Sequence, residues 1–210
     1  MWSVREATLD GLNQYLAEQR DKPDFHLTLL QFDNDAMDLD ITETFKDILA
    51  PDTPTLTLDD YEPRGSTPLY PAIVYGIAEL ERQSNPGDKI VMVIQTDGQN
   101  TSNDPEITLE STKLAIKARE DKGNWTFVFL GADVAAWDSG SAIGFKTGST
   151  LNYQNTYAGT VTTYNAASTA TTDWYNDTKH LSTANFFGNG PKTLTEEELD
   201  KIVPTSGGGL

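Results

Sequence analysis

The 210-residue sequence contains no cysteine, few basic residues and no long hydrophobic run. Without cysteine, the chain forms no disulfide, no thiolate zinc site and no cysteine nucleophile. No apolar stretch approaches the ~20 residues of a transmembrane helix, and residues 1–6 do not resemble a signal peptide. We therefore expect a soluble globular protein. The cytoplasm is the default compartment, which an upstream segment with a targeting signal would change.

The shortage of basic residues excludes two classes of partner. The sequence has 15 Lys and Arg against 32 Asp and Glu, and its formal net charge is -17. A protein that binds the phosphate backbone of nucleic acids needs the opposite sign, and so does one that is attracted to an anionic membrane surface. We therefore expect neither nucleic acid nor a membrane as a partner, and the oligomeric state stays open.

The hydrophobic pattern predicts alternating helices and strands. Helices are predicted over residues 3–21, 68–82, 108–122 and 134–143, with a weaker one over 156–175. Strands are predicted over 26–32, 37–41, 89–95 and 125–130, and the last two are apolar enough to be covered on both faces. Residues 33–62 are predicted to be acidic and rich in loops.

This alternation is typical of an α/β protein with a Rossmann-like, doubly wound and mostly parallel sheet that has helices on both faces. After residue 146 the composition shifts to Thr, Asn, Ser, Tyr and Ala. We predict one domain over residues 1–185 and an acidic, Gly-rich tail over 186–210.

Two loops at predicted strand ends carry oxygen ligands. Residues 65–69 (Gly-Ser-Thr-Pro-Leu) lead into a helix, and residues 95–98 (Gln-Thr-Asp-Gly) follow the most buried strand. Ligands bind at the carboxyl ends of the strands in open α/β sheets, and Mg²⁺ prefers oxygen ligands in octahedral geometry. Thr67 and Asp97 are therefore the candidate metal ligands, although either motif alone is common in ordinary turns.

Residues 64–70 (Arg-Gly-Ser-Thr-Pro-Leu-Tyr) and 93–98 (Val-Ile-Gln-Thr-Asp-Gly) together resemble the von Willebrand factor A domain family, in its bacterial and phage form. Residues 127–132 and 151–153 have equivalents in that family, and the resemblance covers residues 1–175. It implies a metal-ion-dependent adhesion site in which Mg²⁺ keeps one position open for a carboxylate of a partner protein. Thr67 matches the family's Thr ligand and Asp97 its Asp ligand.

The sequence departs from the family at its start. The family's Asp-x-Ser-x-Ser motif ends a central first strand, and this chain contains neither; residues 1–6 resemble the continuation of that motif. The resemblance therefore implies an incomplete metal site and two unpaired strand edges. We favour a start at an internal Met of a longer reading frame. A strand supplied by another polypeptide and a decayed, non-binding relative are the alternatives.

Other candidate sites have simpler explanations. His26 and His180 have no triad context, and the Asp138–Ser141 segment has the letters of the metal motif with the wrong spacing. The acidic stretch lacks the Gly and distant Glu of a calcium loop, so we interpret it as a solvated face.

The resemblance therefore favours a protein-interaction module rather than an enzyme. In that site Ser66 and Gly98 would shape the loops, while Gly65 and Pro68 would set loop conformation. The alternative is a phage-type structural or assembly protein that keeps the fold without metal chemistry. A hydrolase that uses Asp97 is the least favoured, since the sequence has no Gly-x-Ser-x-Gly, Walker A or Gly-x-Gly-x-x-Gly motif.

Overall fold

The computed structural model describes residues 4–35, 38–132, 140–176 and 185–188. In chain order its elements are α1 (Arg5–Gln19), β1 (His26–Asp35), β2 (Asp38–Leu49), α2 (Leu69–Gln83), β3 (Ile90–Thr96), α3 (Leu109–Glu120), β4 (Trp125–Ala132), β5 (Thr150–Tyr153) and α4 (Tyr157–Tyr175). The predicted mixed α/β class is confirmed. Among the described helices, none is long and apolar enough to cross a membrane.

The strands form two separate sheets. β1 and β2 make an antiparallel hairpin, and β3, β4 and β5 make a parallel sheet in that order. Val93 pairs with Val128 between β3 and β4, and Leu130 pairs with Leu151 between β4 and β5. Within the described ranges, no strand joins β1 to β3, so these residues form two sheets instead of one doubly wound sheet, as a chain without the central strand would.

The centre of the core is β4, in which all eight residues are buried. Trp125, Phe127 and Phe129 pack on the face that carries α2 and α3, while Val128 and Leu130 pack toward α4. Burying an aromatic or aliphatic side chain of this size contributes about 1.5–3 kcal/mol. β4 is thus covered by helices on both faces, as is typical of strands within a parallel sheet.

The hairpin corrects one prediction. Residues 33–62 were expected to be mostly loop, but β2 continues to Leu49. Apolar Leu39, Ile41 and Phe45 occupy alternate positions of this strand, and Phe45 packs against the cluster around Leu16 and Leu56. An antiparallel hairpin with one solvated face accommodates acidic residues between such positions, which is why a high acid content did not prevent a strand.

The burial of β3 also differs from the prediction. Its apolar sequence predicts cover on both faces, but Val93 is 36% exposed, and Val91 and Met92 are only half-buried. β4 pairs along one edge of β3 only. The exposure follows because the other edge borders a cavity instead of a strand.

The packed region extends past the predicted domain boundary. Phe186 is buried in the cluster with Val128 and Leu130, and the Phe187 N–H donates to the Gly148 carbonyl over 2.8 Å. The remainder of the predicted tail, from residue 189, lies outside the described residues.

The hairpin is joined to α2 by a buried carboxylate. Glu79 accepts from Arg82 and from Gln83 (2.5 Å), and its carboxylate lies 2.6 Å from the Lys46 ammonium on β2. The hydrogen bonds from Arg82, aided by those from Lys46 and Gln83, lower the Glu79 pKa from its usual value near 4.5 to about 2. This contribution to stability is complete above pH 4.5 and is lost as the pH falls toward 2.

We predict that Glu79→Gln destabilises the fold by about 1–3 kcal/mol at neutral pH, because it removes the buried ion pair but keeps the side chain's shape. The difference from the parent should shrink as the pH falls from 4.5 toward 2. Urea unfolding at several pH values measures this. The exposed Asp59→Asn serves as the control and should change stability by less than ~0.5 kcal/mol. An equal loss at pH 7 and at pH 2.5 would contradict the assignment.

Candidate functional site

The two predicted ligand loops meet at the carboxyl edge of the parallel sheet. A Cβ added at Gly98 would lie 2.4 Å from the Thr67 hydroxyl oxygen, so the loop after β3 packs directly on the Thr67 side chain. The Thr101 N–H donates to the Thr67 carbonyl over 2.8 Å. The structure therefore brings the Thr67 hydroxyl next to the loop that carries Asp97.

The loop after β3 is held in place by three further hydrogen bonds. The Gly98 N–H donates to the Thr96 hydroxyl over 3.1 Å. The Asn100 side-chain oxygen accepts from the Tyr70 N–H at the start of α2 (3.2 Å), and its amide nitrogen donates to the Ser102 carbonyl (3.1 Å). The sequence did not predict the roles of Asn100 and Thr101, because a polar loop residue carries no periodic pattern that reveals its hydrogen-bond partner.

The loop before α2 depends on a glycine. Gly65 has a φ of +52°, and a Cβ there would lie 2.4 Å from the Asn34 carbonyl oxygen at the end of β1. Both the left-handed conformation and the close approach favour glycine. Pro68 is the residue directly before α2, where a missing N–H costs no helix hydrogen bond. These positions fit the predicted roles of Gly65 and Pro68 in loop conformation.

Arg64 links this loop to the hairpin. Its guanidinium donates to Asp33 and to Asp40, each over 2.9 Å. Asp33 is 8% exposed, and its second oxygen, Oδ1, is buried and accepts no hydrogen bond from the described residues. The sequence does not reveal this pair, although Arg64 lies two residues after a stretch, residues 33–62, in which Lys46 is the only base.

Thr67 and Asp97 offer the type of oxygen ligand that Mg²⁺ prefers, but they are fewer than Mg²⁺ requires. Thr67 and Asp97 are half-buried, and they provide a hydroxyl and a carboxylate, which are hard oxygen ligands. Mg²⁺ takes about six oxygen ligands, several of them water. In the described part of the chain there is no group of three or more His, Asp or Glu side chains that could hold a metal ion. These two residues alone would hold Mg²⁺ weakly.

A cavity of about 1150 Å³ lies between β1 and β3. α2 covers one face of it, and α1 and α4 cover the other. Thr67 and Asp97 line it at the end where α2 begins, while Thr28 and Gln83, which hydrogen-bond to each other (2.7 Å), lie where α2 ends. The two predicted ligands thus line the cavity at the end where β3 finishes and α2 begins.

One wall of the cavity carries a buried polar network. The Gln95 side chain donates to the Tyr153 hydroxyl over 2.8 Å and accepts from the Tyr164 hydroxyl. Burial raises the pKa of Tyr164 well above its usual value and also raises that of Tyr61. The Tyr164 phenol therefore remains a hydrogen-bond donor to Gln95 even at alkaline pH.

His26 and the acidic stretch form local ion pairs at the surface. His26 pairs with Asp47 over 2.8 Å, and both side chains are about half-exposed (55% and 47%). His180 lies outside the described residues, as do positions 138 and 139 of the Asp138–Ser141 segment. Several carboxylates of the acidic stretch are engaged locally: Asp60 accepts from the Thr57 N–H, and Glu43 pairs with Lys46.

Two solved structures of proximal thread matrix protein 1 (PTMP1) from the mussel byssus are similar to this chain. One, titled crystal form 2, has a TM-score of 0.57 and 13% identity over 78% of this chain and 42% of that chain. The other has a TM-score of 0.50 and 14% identity over 76% of this chain and 41% of that chain. The likeness concerns the fold alone, and this chain spans less than half the length of that protein. No family model and no curated protein matches the sequence.

We predict that Gly98→Ala destabilises the protein by about 1–3 kcal/mol, because the added methyl group would overlap the Thr67 hydroxyl. The φ of Gly98 is not positive, so steric overlap is the main obstacle. Combining it with Thr67→Ala should recover part of the loss, and thermal melts of the two single variants and the double variant measure the coupling. Strictly additive losses would contradict direct contact between the loops.

Proposed function

We propose that this chain is a protein-interaction module of the von Willebrand factor A type, and that it binds a partner protein at the carboxyl edge of its strands. The observation that carries the proposal is the contact between Thr67 and the loop at Gly98. Residues 31 positions apart in the sequence, one on each predicted loop, come together there with oxygen ligands beside them. Contact of this kind is what an adhesion site at the strand ends requires.

We also propose that the chain folds around a doubly wound, Rossmann-like sheet. The parallel order of β3, β4 and β5 and the helices on both faces of β4 support this assignment. It is also supported by the side-by-side position of β1 and β3 across the cavity. One additional parallel strand between them would convert the two sheets into a single sheet.

Mg²⁺ is the proposed cofactor. Thr67 would ligate it directly and Asp97 directly or through water, while Ser66 and Gly98 shape the loops. Because two side chains leave most of the coordination sphere open, the remaining oxygens come from water and from groups beyond the described residues. One of these would be a carboxylate of the partner protein.

A non-enzymatic role fits the composition of the two loops. Residues 65–69 and 95–98 contain hydroxyl, amide and carboxylate side chains but no histidine or cysteine. A hydroxyl nucleophile needs an adjacent base, and a carboxylate that ligates a metal is a poor candidate for that base. We therefore propose binding rather than catalysis at this edge.

The alternative is a structural or assembly protein that keeps this fold without metal chemistry. The absence of a third acidic or histidine ligand among the described residues favours it. The similar mussel protein is, by its name, a thread matrix protein. At 13% identity that likeness supports the fold only, so the ligand count is the stronger argument for this alternative.

We predict that Mg²⁺ raises the melting temperature of the parent chain. At a Mg²⁺ concentration tenfold above Kd, the free energy of unfolding should rise by about 1.4 kcal/mol, which corresponds to a melting temperature roughly 3–5 °C higher for a domain of this size. Thr67→Ala and Asp97→Asn should each abolish this increment, whereas the exposed Glu110→Gln on α3 should retain it. Differential scanning fluorimetry with Mg²⁺ and with EDTA provides the comparison. A parent that melts identically in both would refute the metal site and favour the assembly role.

A further inference from the structure

The start of α2 leaves one backbone donor to be paired from outside the helix. An α-helix has four N–H groups at its N-terminus that find no partner within the helix. Pro68 occupies the N-cap position and Pro71 the third position of α2, and neither residue has an N–H. The Leu69 N–H donates to the Thr67 carbonyl over 2.8 Å. Of the four groups, the Tyr70 N–H therefore remains.

Asn100, on the loop after β3, supplies the partner of this donor. Its side-chain oxygen accepts from the Tyr70 N–H over 3.2 Å, a role that the side chain of the N-cap residue usually fills. Pro68 cannot fill it, because its side chain has no hydrogen-bonding atom, and it makes no side-chain capping bond. The N-terminus of α2 is therefore capped by a neighbouring loop and not by its own N-cap residue.

The orientation of the Asn100 amide is fixed from both sides. Its nitrogen donates to the Ser102 carbonyl over 3.1 Å, so its oxygen is the atom that faces the Tyr70 N–H. A carboxylate at position 100 would keep the acceptor toward Tyr70 but lose the bond to Ser102, because an ionised carboxylate has no donor. Alanine would lose both bonds. The two substitutions therefore separate the capping bond from the bond within the loop.

The capping bond joins the two candidate ligand loops at matched positions. Tyr70 lies three residues after Thr67, and Asn100 lies three residues after Asp97. A second bond beside it runs from the Thr101 N–H to the Thr67 carbonyl over 2.8 Å. Together these two bonds hold the Thr67 loop and the loop that carries Asp97 in one arrangement.

A metal site with two protein ligands is sensitive to the spacing between them. Mg²⁺ demands near-ideal octahedral geometry with ligands at about 2.0–2.1 Å, so displacing either side chain removes half of the protein's ligands. Groups that hold the ligands without touching the metal contribute about 10–100-fold to metal affinity. Asn100 is half-buried between the two loops and has both amide atoms engaged, so its contacts favour a role in holding the loops.

We propose that Asn100 is a positioning residue of the metal site, an inference that rests on the Mg²⁺ site proposed for Thr67 and Asp97. The Asn100 side chain caps α2 from the loop after β3 and thereby sets the distance between the Thr67 hydroxyl and the Asp97 carboxylate. It does not itself bind the ion. Without the cap, the two ligands lie on loops that move independently, so Mg²⁺ binds more weakly although the fold is intact.

Titration of the complete ¹⁵N-labelled chain with Mg²⁺ tests the proposal. The NMR shift of the Gly98 amide reports binding at a temperature below the unfolding transition of every variant, so a loss of stability alone leaves the Kd unchanged. We expect Asn100→Ala to raise the Kd for Mg²⁺ about tenfold. The control is Asn103→Ala, which changes an exposed asparagine of the same loop and should keep the parent's Kd.

Hydrogen exchange in EDTA tests the cap without the metal. In Asn100→Ala the Tyr70 and Thr101 amides should exchange about tenfold faster than in the parent, whereas Asn100→Asp, which keeps the acceptor, should protect Tyr70 as the parent does. An unchanged Kd, or unchanged exchange at Tyr70, in Asn100→Ala would overturn the role of Asn100 alone. A parent that binds no Mg²⁺ would instead overturn the metal site, and this role with it, whatever the exchange rates are.

Discussion

The remaining structure depends on one constraint, which is that the backbone groups on the facing edges of β1 and β3 need hydrogen-bond partners. Each buried N–H and C=O requires a partner, and an extended edge in a sheet is prone to pairing with another chain. Here the two edges border a cavity covered by helices on both faces. The hairpin is therefore held by α1, by α2 and by the Lys46–Glu79 ion pair, and not by strand pairing with the parallel sheet.

The candidate site depends on the same arrangement. Thr67 and Asp97 are positioned by β3, by the start of α2 and by contact with Gly98, and they line the cavity between β1 and β3 at the end where α2 begins. The candidate site and the cavity therefore share this end of the fold.

The sequence predicted α1 to α4 and the strands β3 and β4, because their apolar residues are regularly spaced and their boundaries carry Pro68, Thr108 and Gly123. It did not predict the short strand β5, and most of the predicted helix over residues 134–143 lies outside the described residues. It also paired the Thr67 and Asp97 loops, which the structure brings together. It failed for β2, where acidic residues masked an alternating strand, and for the exposure of β3, which depends on the neighbouring strand rather than on local composition. Contacts between residues far apart in the sequence, such as the ion pair of Arg64 with Asp33, could not be predicted because they produce no pattern in the local sequence.

Hydrogen exchange of the isolated chain, resolved by residue with NMR, tests the central claim most directly. In a parallel strand the amides alternate between the two neighbours, so every second amide of β3 bonds to β4 and the others face the cavity between β1 and β3. We predict that the cavity-facing amides exchange on the order of a hundredfold faster than those bonded to β4. Uniformly strong protection along β3 would contradict the account, because it would require a strand already in place.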